Sequence, residues 1–378
     1  MPRESTAAKV VEGIGLLGGM IIGAGMFALP YSFSRAGFLW SLFLFALVFG
    51  ASWLLHLLYD AVIYVTPGRH RFPGYVARYL GRDSERIAFL FTIFGAYGAM
   101  LAYGILGAIF LENILGAPFF LGGLLFFLVG GALFFLSLRT VGKLNFYLTL
   151  PLLLFILILA AKLIPHINTL NFSSPLRREL FLPYGVLLFA FAGYSALPDL
   201  HDVLPARSRA LSKRIIFISL IISAIFYLVF TLAVLGATGL ETSQDALSGL
   251  RGVIGGSAVG VGSAIGLLAV FTSYVVFGAD LKLTFRYDYH LPAGFSWLFA
   301  FFPPVMLFSL GLTDLVKILG IVGAVALGVF ALLVLRMAWV VRQEIRTFLG
   351  FKVQAWWLFS LGVLILAGVF SQLLLSSV

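Results

Sequence analysis

The chain has 378 residues, of which 61% are hydrophobic and only 11% charged, with a formal net charge of +10. So apolar a composition excludes a soluble domain and makes lipid the solvent for most of the surface. The absence of cysteine removes disulfides, thiolate metal sites and thiol catalysis, and the excess of Lys and Arg points to basic loops against an anionic membrane surface, not to nucleic acid.

About 20 apolar residues cross a bilayer as a helix. On that rule the chain reads as one all-α polytopic membrane domain, 1–378, with about 11 transmembrane helices. They are expected near 10–33, 37–64, 86–114, 119–138, 143–164, 183–200, 214–237, 257–284, 294–312, 315–340 and 354–376. The first run lacks a small-residue cleavage site before the next span and is expected to be retained. With the N-terminus cytoplasmic, only Arg35, Lys162, Arg177, Arg178, Arg251 and Lys317 of the 25 Lys/Arg fall outside. That asymmetry sets the orientation in the cell (plasma or inner) membrane, and an odd count places the C-terminus outside. Between the second and third spans, Phe72 to Gly81 mixes aromatics with arginines and reads as a short amphipathic helix in the interface.

One heptapeptide occurs twice. Ala24-Gly25-Met26-Phe27-Ala28-Leu29-Pro30 returns 168 residues later as Ala192-Gly193-Tyr194-Ser195-Ala196-Leu197-Pro198. At roughly 34 residues per span and connection this is five crossings, so the second copy enters the bilayer in the opposite direction. Matching Gly/Pro interruptions in two halves of a membrane chain point to the binding site of a secondary transporter. Glycine permits the unwinding, and unwound backbone persists at membrane depth only where it lines a buried or watery cavity. The half-helix after Gly25 then offers N–H groups to an anion, and the carbonyls before each break offer partial negative charge to an ammonium group. A zwitterion such as an α-amino acid fits both poles. The competing reading is a pair of kinks that only bring helices close.

The middles of the first and sixth spans hold no Asp, Glu, Lys, Arg or His, which argues for a neutral substrate side chain. Glu12, Asp60 and Glu112 lie nearer span ends and read as interfacial or helix-terminal carboxylates. In the eighth span, Ala269, Thr272 and Ser273 share one helix face. Their two hydroxyls and a locally exposed carbonyl could ligate Na⁺, completed by the Gly18 and Ile21 carbonyls. The alternative is that both hydroxyls bond back to their own helix.

Gly18-Gly19-Met20-Ile21-Ile22-Gly23-Ala24-Gly25-Met26-Phe27-Ala28-Leu29-Pro30 resembles the first-span signature of the amino acid–polyamine–organocation (APC) superfamily. It is closest to the hydroxy/aromatic amino acid permease and amino acid/auxin permease families. Phe189 to Pro198 resembles their sixth span, Ala102-Tyr103-Gly104 part of the third, and Phe302-Pro303-Pro304 with Leu319 to Gly323 the ninth and tenth. The resemblance implies a 5+5 inverted repeat with discontinuous helices 1 and 6, plus one extra C-terminal helix. Repeat one would run over 9–166, repeat two over 181–342 and the extra helix over 353–377.

It implies further that the backbone of Gly23, Ala24, Gly25 and Met26 holds the substrate carboxylate. Phe191, Ala192, Gly193, Tyr194 and Ser195 would take the amine and side chain, and Tyr103, with Tyr97, would reach in from the third span. The implied function is ion-coupled symport of a neutral amino acid, aromatic or hydroxylated, by alternating access. No cofactor is expected, and oligomeric state is not legible. Phe271-Thr272-Ser273 is also similar to a sodium motif of the distantly related neurotransmitter:sodium symporters, which speaks for Na⁺ as the coupling ion. Some relatives that use H⁺ place a lysine midway along the fifth span, and 145–158 has none here. Hydroxy/aromatic permeases are nevertheless generally coupled to H⁺.

Two other readings compete. Asp199-Leu200-His201-Asp202 supplies one DxxD, as in multi-span prenyltransferases, but such enzymes need a second cluster and none is present. No HExxH, Gly-x-Ser-x-Gly or P-loop appears, so an enzyme or an ATP-driven pump is not expected. The same fold could carry another organic solute or a metal ion. Of the Asp and Met ligands that metal carriers place at the breaks, only Met26 is there.

Overall fold

The computed structural model describes residues 6–68, 70–136, 138–173, 179–204, 208–287 and 289–376, with backbone alone for 6–8, 138–146 and 375–376. Of the basic residues that bear on orientation, Arg3, Arg69, Arg177, Arg178 and Arg207 lie outside the described residues, as do the side chains of Arg139 and Lys143. Apolar runs become helices because every backbone polar group must find a partner within its own segment in lipid. Their interruptions fall where Gly and Pro cluster. Helix α1 (Thr6–Ile21) stops at Ile22-Gly23-Ala24, and α2 (Gly25–Ala36) leaves the break at a 51° bend. Gly37, at φ 98°, makes the turn into α3 (Phe38–Val65).

The short α4 (Phe72–Leu80) ends on Gly81, as its composition predicts. It is followed by α5 (Arg82–Leu115), α6 (Phe119–Ala132) and α7 (Leu138–Leu163). The expected sixth span is two pieces, α8 (Leu182–Ala190) and α9 (Leu197–Val203), with a 3₁₀ turn over Tyr194–Ala196 between them. The chain continues through α10 (Arg209–Thr238), one turn of α11 (Arg251–Ile254), α12 (Gly256–Tyr287) and α13 (Ala293–Ser309). A π-helical segment, Val322–Ala326, joins α14 (Leu315–Ile321) to α15 (Leu327–Val340). The small α16 (Ile345–Leu349) and α17 (Ala355–Ser376) complete the chain.

Among the described residues there is no strand. Among those residues, seven helical stretches are long and apolar enough to cross a membrane, eight with α1–α2 taken as one span, and Phe119–Phe135 and α13 are shorter apolar helices. Their outer faces carry large apolar side chains, with Leu39 and Phe359 each 74% exposed, which suits lipid and not water. Between helices, glycines serve as sockets for rings. Gly104 and Gly107 of α5 receive Phe127 and Phe126 of α6, while Gly130 receives Tyr274 and Gly278 receives Phe134. A methyl group at any of these would enter the ring, so backbone and aromatic approach is what holds this bundle at its working spacing.

Helix α4 lays Tyr75 and Val76 against the bundle, with Phe72 4.3 Å from Phe330 and Tyr75 5.9 Å from Tyr59 between ring centroids. Arg71, just before it, pairs with Asp280 of α12 at 3.3 Å.

Candidate functional site

At the first break the α-helical ladder stops. The Met26 and Phe27 amides reach back only three residues, to the Gly23 and Ala24 carbonyls at 3.3 and 3.1 Å. The amino end of α2, with the positive end of its dipole, therefore lies inside the bundle. At the second break the Ala192 amide bonds the Phe189 carbonyl and the Ala196 amide the Gly193 carbonyl, both at 3.1 Å. Gly23 to Gly25 and Ala192-Gly193 both interrupt their helices, which is what the duplicated heptapeptide predicts.

The breaks meet. A Cβ on Gly25 would stand 2.7 Å from the Ala190 Cα, so the head of α2 touches the end of α8 backbone to backbone. Gly193 packs against the Ile21 and Leu17 side chains of α1. Between them stands the Tyr227 hydroxyl of α10, 2.7 Å from the Ile21 carbonyl and 2.8 Å from the Ala190 carbonyl. These are the last carbonyls before each break. One hydroxyl proton thus serves two helix ends, each of which has lost its own partners.

Around this junction the expected site residues divide. Gly23 is half-buried and looks toward the Tyr103 hydroxyl, which in turn hydrogen-bonds Ser273 of α12. Tyr103 therefore links the first break to the third and eighth spans. Ala24, Gly25 and Met26 are buried, and Ala192 is half-buried. Phe191 is fully buried, its ring 5.3 Å from Phe45, 5.7 Å from Phe49 and 5.4 Å from Tyr227. Tyr194 turns the other way and stacks on Phe330 at 4.4 Å. Ser195 is exposed. Tyr97 donates to the Phe299 carbonyl of α13 at 2.7 Å.

In α12 the Thr272 hydroxyl donates to the Leu268 and Ala269 carbonyls, both at 3.1 Å, and Ser273 donates to Ala269 at 3.0 Å. The Ala269 carbonyl thus receives both hydroxyls, while the Ile21 carbonyl is already held by Tyr227. Gly18 is buried with open space where a Cβ would go.

Three features were not anticipated from the sequence. Tyr227 is one. The second is a polar stripe on α3, where Ser52, His56 and Asp60 are spaced by four residues and all fully buried. Asp60 is therefore not the interfacial carboxylate its position near the end of the run suggested. Its oxygens are held at 2.6 Å by His201 Nε2 of α9 and at 2.6 Å by the Ser212 hydroxyl of α10. The i, i+4, i+8 spacing was the available signal. The third is the π segment after α14, which carries no Pro. It lies beside α8, where Gly185 meets the Gly320 backbone and Gly323 meets Gly185. An apolar cleft of about 340 Å³ between α7 and α12, lined by Pro151, Phe155 and Ile265 among others, contains none of the break residues.

Two interrupted helices thus meet inside an apolar bundle, with the head of α2 against the end of α8. The fold is similar to the crystal structure of a mutant of the Eremococcus coleocola manganese transporter, with a TM-score of 0.64 at 14% identity, over 99% of this chain and 87% of that one. The model of the tryptophan/tyrosine permease family matches residues 6–374, and the chain belongs to that family. It is thus a multi-pass membrane permease and not an enzyme. A relative, tyrosine-specific transport system 1 of Haemophilus influenzae, is 28% identical over 252 residues, 64% of this chain. The match spans 61% of that relative's length.

Proposed function

We propose that the chain is a symporter that carries an aromatic amino acid, tyrosine or tryptophan, with a coupling ion by alternating access. The observation that carries this reading is the junction of the two breaks, where the head of α2 lies against the end of α8 and Tyr227 ties the two last carbonyls together. The substrate carboxylate is assigned to the backbone at Gly23 to Met26, and the amine and ring to Phe191 through Ser195. Tyr103 reaches the site from α5. The family name and the named cargo of the Haemophilus relative support an aromatic substrate. So does the presence of the aromatic residues Tyr103, Phe191 and Tyr194 among those assigned to the site. The bundle lies with its N-terminus inside and C-terminus outside, in keeping with the basic residues of its loops.

The coupling ion is Na⁺ or H⁺. Ala269, Thr272 and Ser273 on one face of α12, with Gly18 and Ile21, are the residues proposed for Na⁺. For H⁺ speak the engagement of those same oxygens within the protein and a buried Asp–His pair elsewhere. A thermal-shift panel of the twenty amino acids, each in Na⁺ and in choline at two pH values, tests cargo and ion together. Saturation at 100 times the dissociation constant adds about 2.7 kcal/mol to stability. Tyrosine or tryptophan should raise the unfolding temperature and small or charged amino acids should not. A panel without any response from the aromatic amino acids overturns the cargo assignment.

A further inference from the structure

Among the described residues, three helices bring together a group of buried ionisable side chains that the substrate site does not use. On α3, Ser52, His56 and Asp60 form one stripe with no solvent exposure. The His56 Nδ1–H donates to the Ser52 carbonyl at 2.8 Å, which leaves Nε2 as a bare ring nitrogen, buried and without a hydrogen-bond partner. One turn further along, Asp60 accepts from His201 Nε2 of α9 and from Ser212 of α10. The Asp60 side chain is 0% and that of His201 6% exposed, and His201 Nδ1 is likewise buried without a partner. Ionisable groups are expensive at membrane depth and persist where they carry or exchange charge.

We infer that the Asp60–His201 pair is the site that takes up and releases the coupling proton of transport. This rests on the symporter reading above and selects H⁺ among its two ions. In the empty pair Asp60 is a carboxylate and His201 a neutral imidazole that donates Nε2–H. The arriving proton adds to the bare Nδ1, and the pair passes from net −1 to neutral. Only a proton is gained, and only a proton is later released.

Lys213 of α10, beside Arg209, donates from its ammonium to the Leu349 carbonyl at 2.8 Å. Asp199 and Asp202 belong to α9 itself. Tyr64 of α3 lies 6.5 Å from the His201 ring between centroids. Of the charged side chains on the other helices packed here, Lys9 of α1 is half-buried, while Glu12 of α1, Arg336 of α15 and Arg346 of α16 are exposed.

The pair is also placed to act. Helix α9 is the half-helix after the second break, and Asp60 ties it to α3 and α10 at once. His56 stands between this pair and the break, its ring 4.1 Å from that of Tyr194. Neutralising Asp60 and His201 changes the force that holds α9, so proton occupancy and the setting of the break are linked.

The test uses the full chain in proteoliposomes with labelled tyrosine. Asp60→Asn and His201→Asn should each lose tenfold or more of the accumulation driven by a pH gradient and should show no proton entry on tyrosine addition. Both should keep tyrosine counterflow, which needs no net proton movement and which reports a folded carrier. Asp60→Glu, which keeps a titratable carboxyl, should regain part of the gradient-driven accumulation. Should one of the Asn variants lose counterflow as well, the other carries the comparison, with Asp60→Glu as the folded control. Proton-driven accumulation at the wild-type level in a variant that retains counterflow overturns the assignment. So does a wild-type protein that exchanges tyrosine but moves no protons with it, and in that case the amino acid reading stands. A wild-type protein that neither binds nor exchanges tyrosine or tryptophan overturns that reading and this one together.

Discussion

Tyr227 concentrates the argument at the scale of a residue. Its single hydroxyl proton faces two carbonyls, those of Ile21 and Ala190, each the last before a break. Removing it leaves two buried acceptors without their donor, which costs about 1–3 kcal/mol for each group so orphaned. Tyr227→Phe should therefore lower the unfolding temperature in detergent by several degrees and weaken tyrosine binding, while the neighbouring rings stay packed. An unfolding temperature equal to that of the wild type would show that the hydroxyl holds neither end. A tyrosine within an apolar run gives no sign in the sequence of what it faces, which is why this residue was not legible. Gly25 was legible as special, but for a different reason. It read as a residue that lets the helix unwind, and the structure adds a close approach, with the Ala190 Cα 2.7 Å from a would-be Cβ.

For whole elements, the sequence announced the breaks and concealed other features. Gly23 to Gly25 and Ala192-Gly193 interrupt their helices because glycine within an apolar run weakens the helix there. The short α4 was visible from its aromatics, its arginines and its terminal glycine. The π segment at Val322–Ala326 was not, since no proline or polar residue marks it. It follows from packing between α8 and α14, where Gly185 and Gly320 meet with no side chain between them. Gly185→Ala would drive a methyl into the Gly320 backbone, and the overpacking should cost about 1–3 kcal/mol. The check is the thermal unfolding of that variant beside Gly18→Ala, which fills open space and should leave stability unchanged or slightly raised. Equal losses in the two would contradict close contact at Gly185.

On the scale of the whole molecule, composition gave the class, and the hydropathy pattern gave most of the helices. The buried Asp60–His201 pair escaped because a carboxylate near the end of a run looks interfacial until its partner helix is known. The arrangement of basic residues yields a directional expectation. A reporter fused after Val378 should be active as a periplasmic or extracellular alkaline phosphatase and dark as a cytoplasmic fluorescent protein. The reverse pattern would require an even number of crossings or the opposite orientation.

The most direct measurement is a structure of the protein with bound tyrosine. The ligand carboxylate should lie within hydrogen-bonding distance of the backbone amides between Gly23 and Met26, with its ring among Tyr103, Phe191 and Tyr194. Tyrosine bound elsewhere, for example in the cleft between α7 and α12, with both breaks empty, would contradict the account.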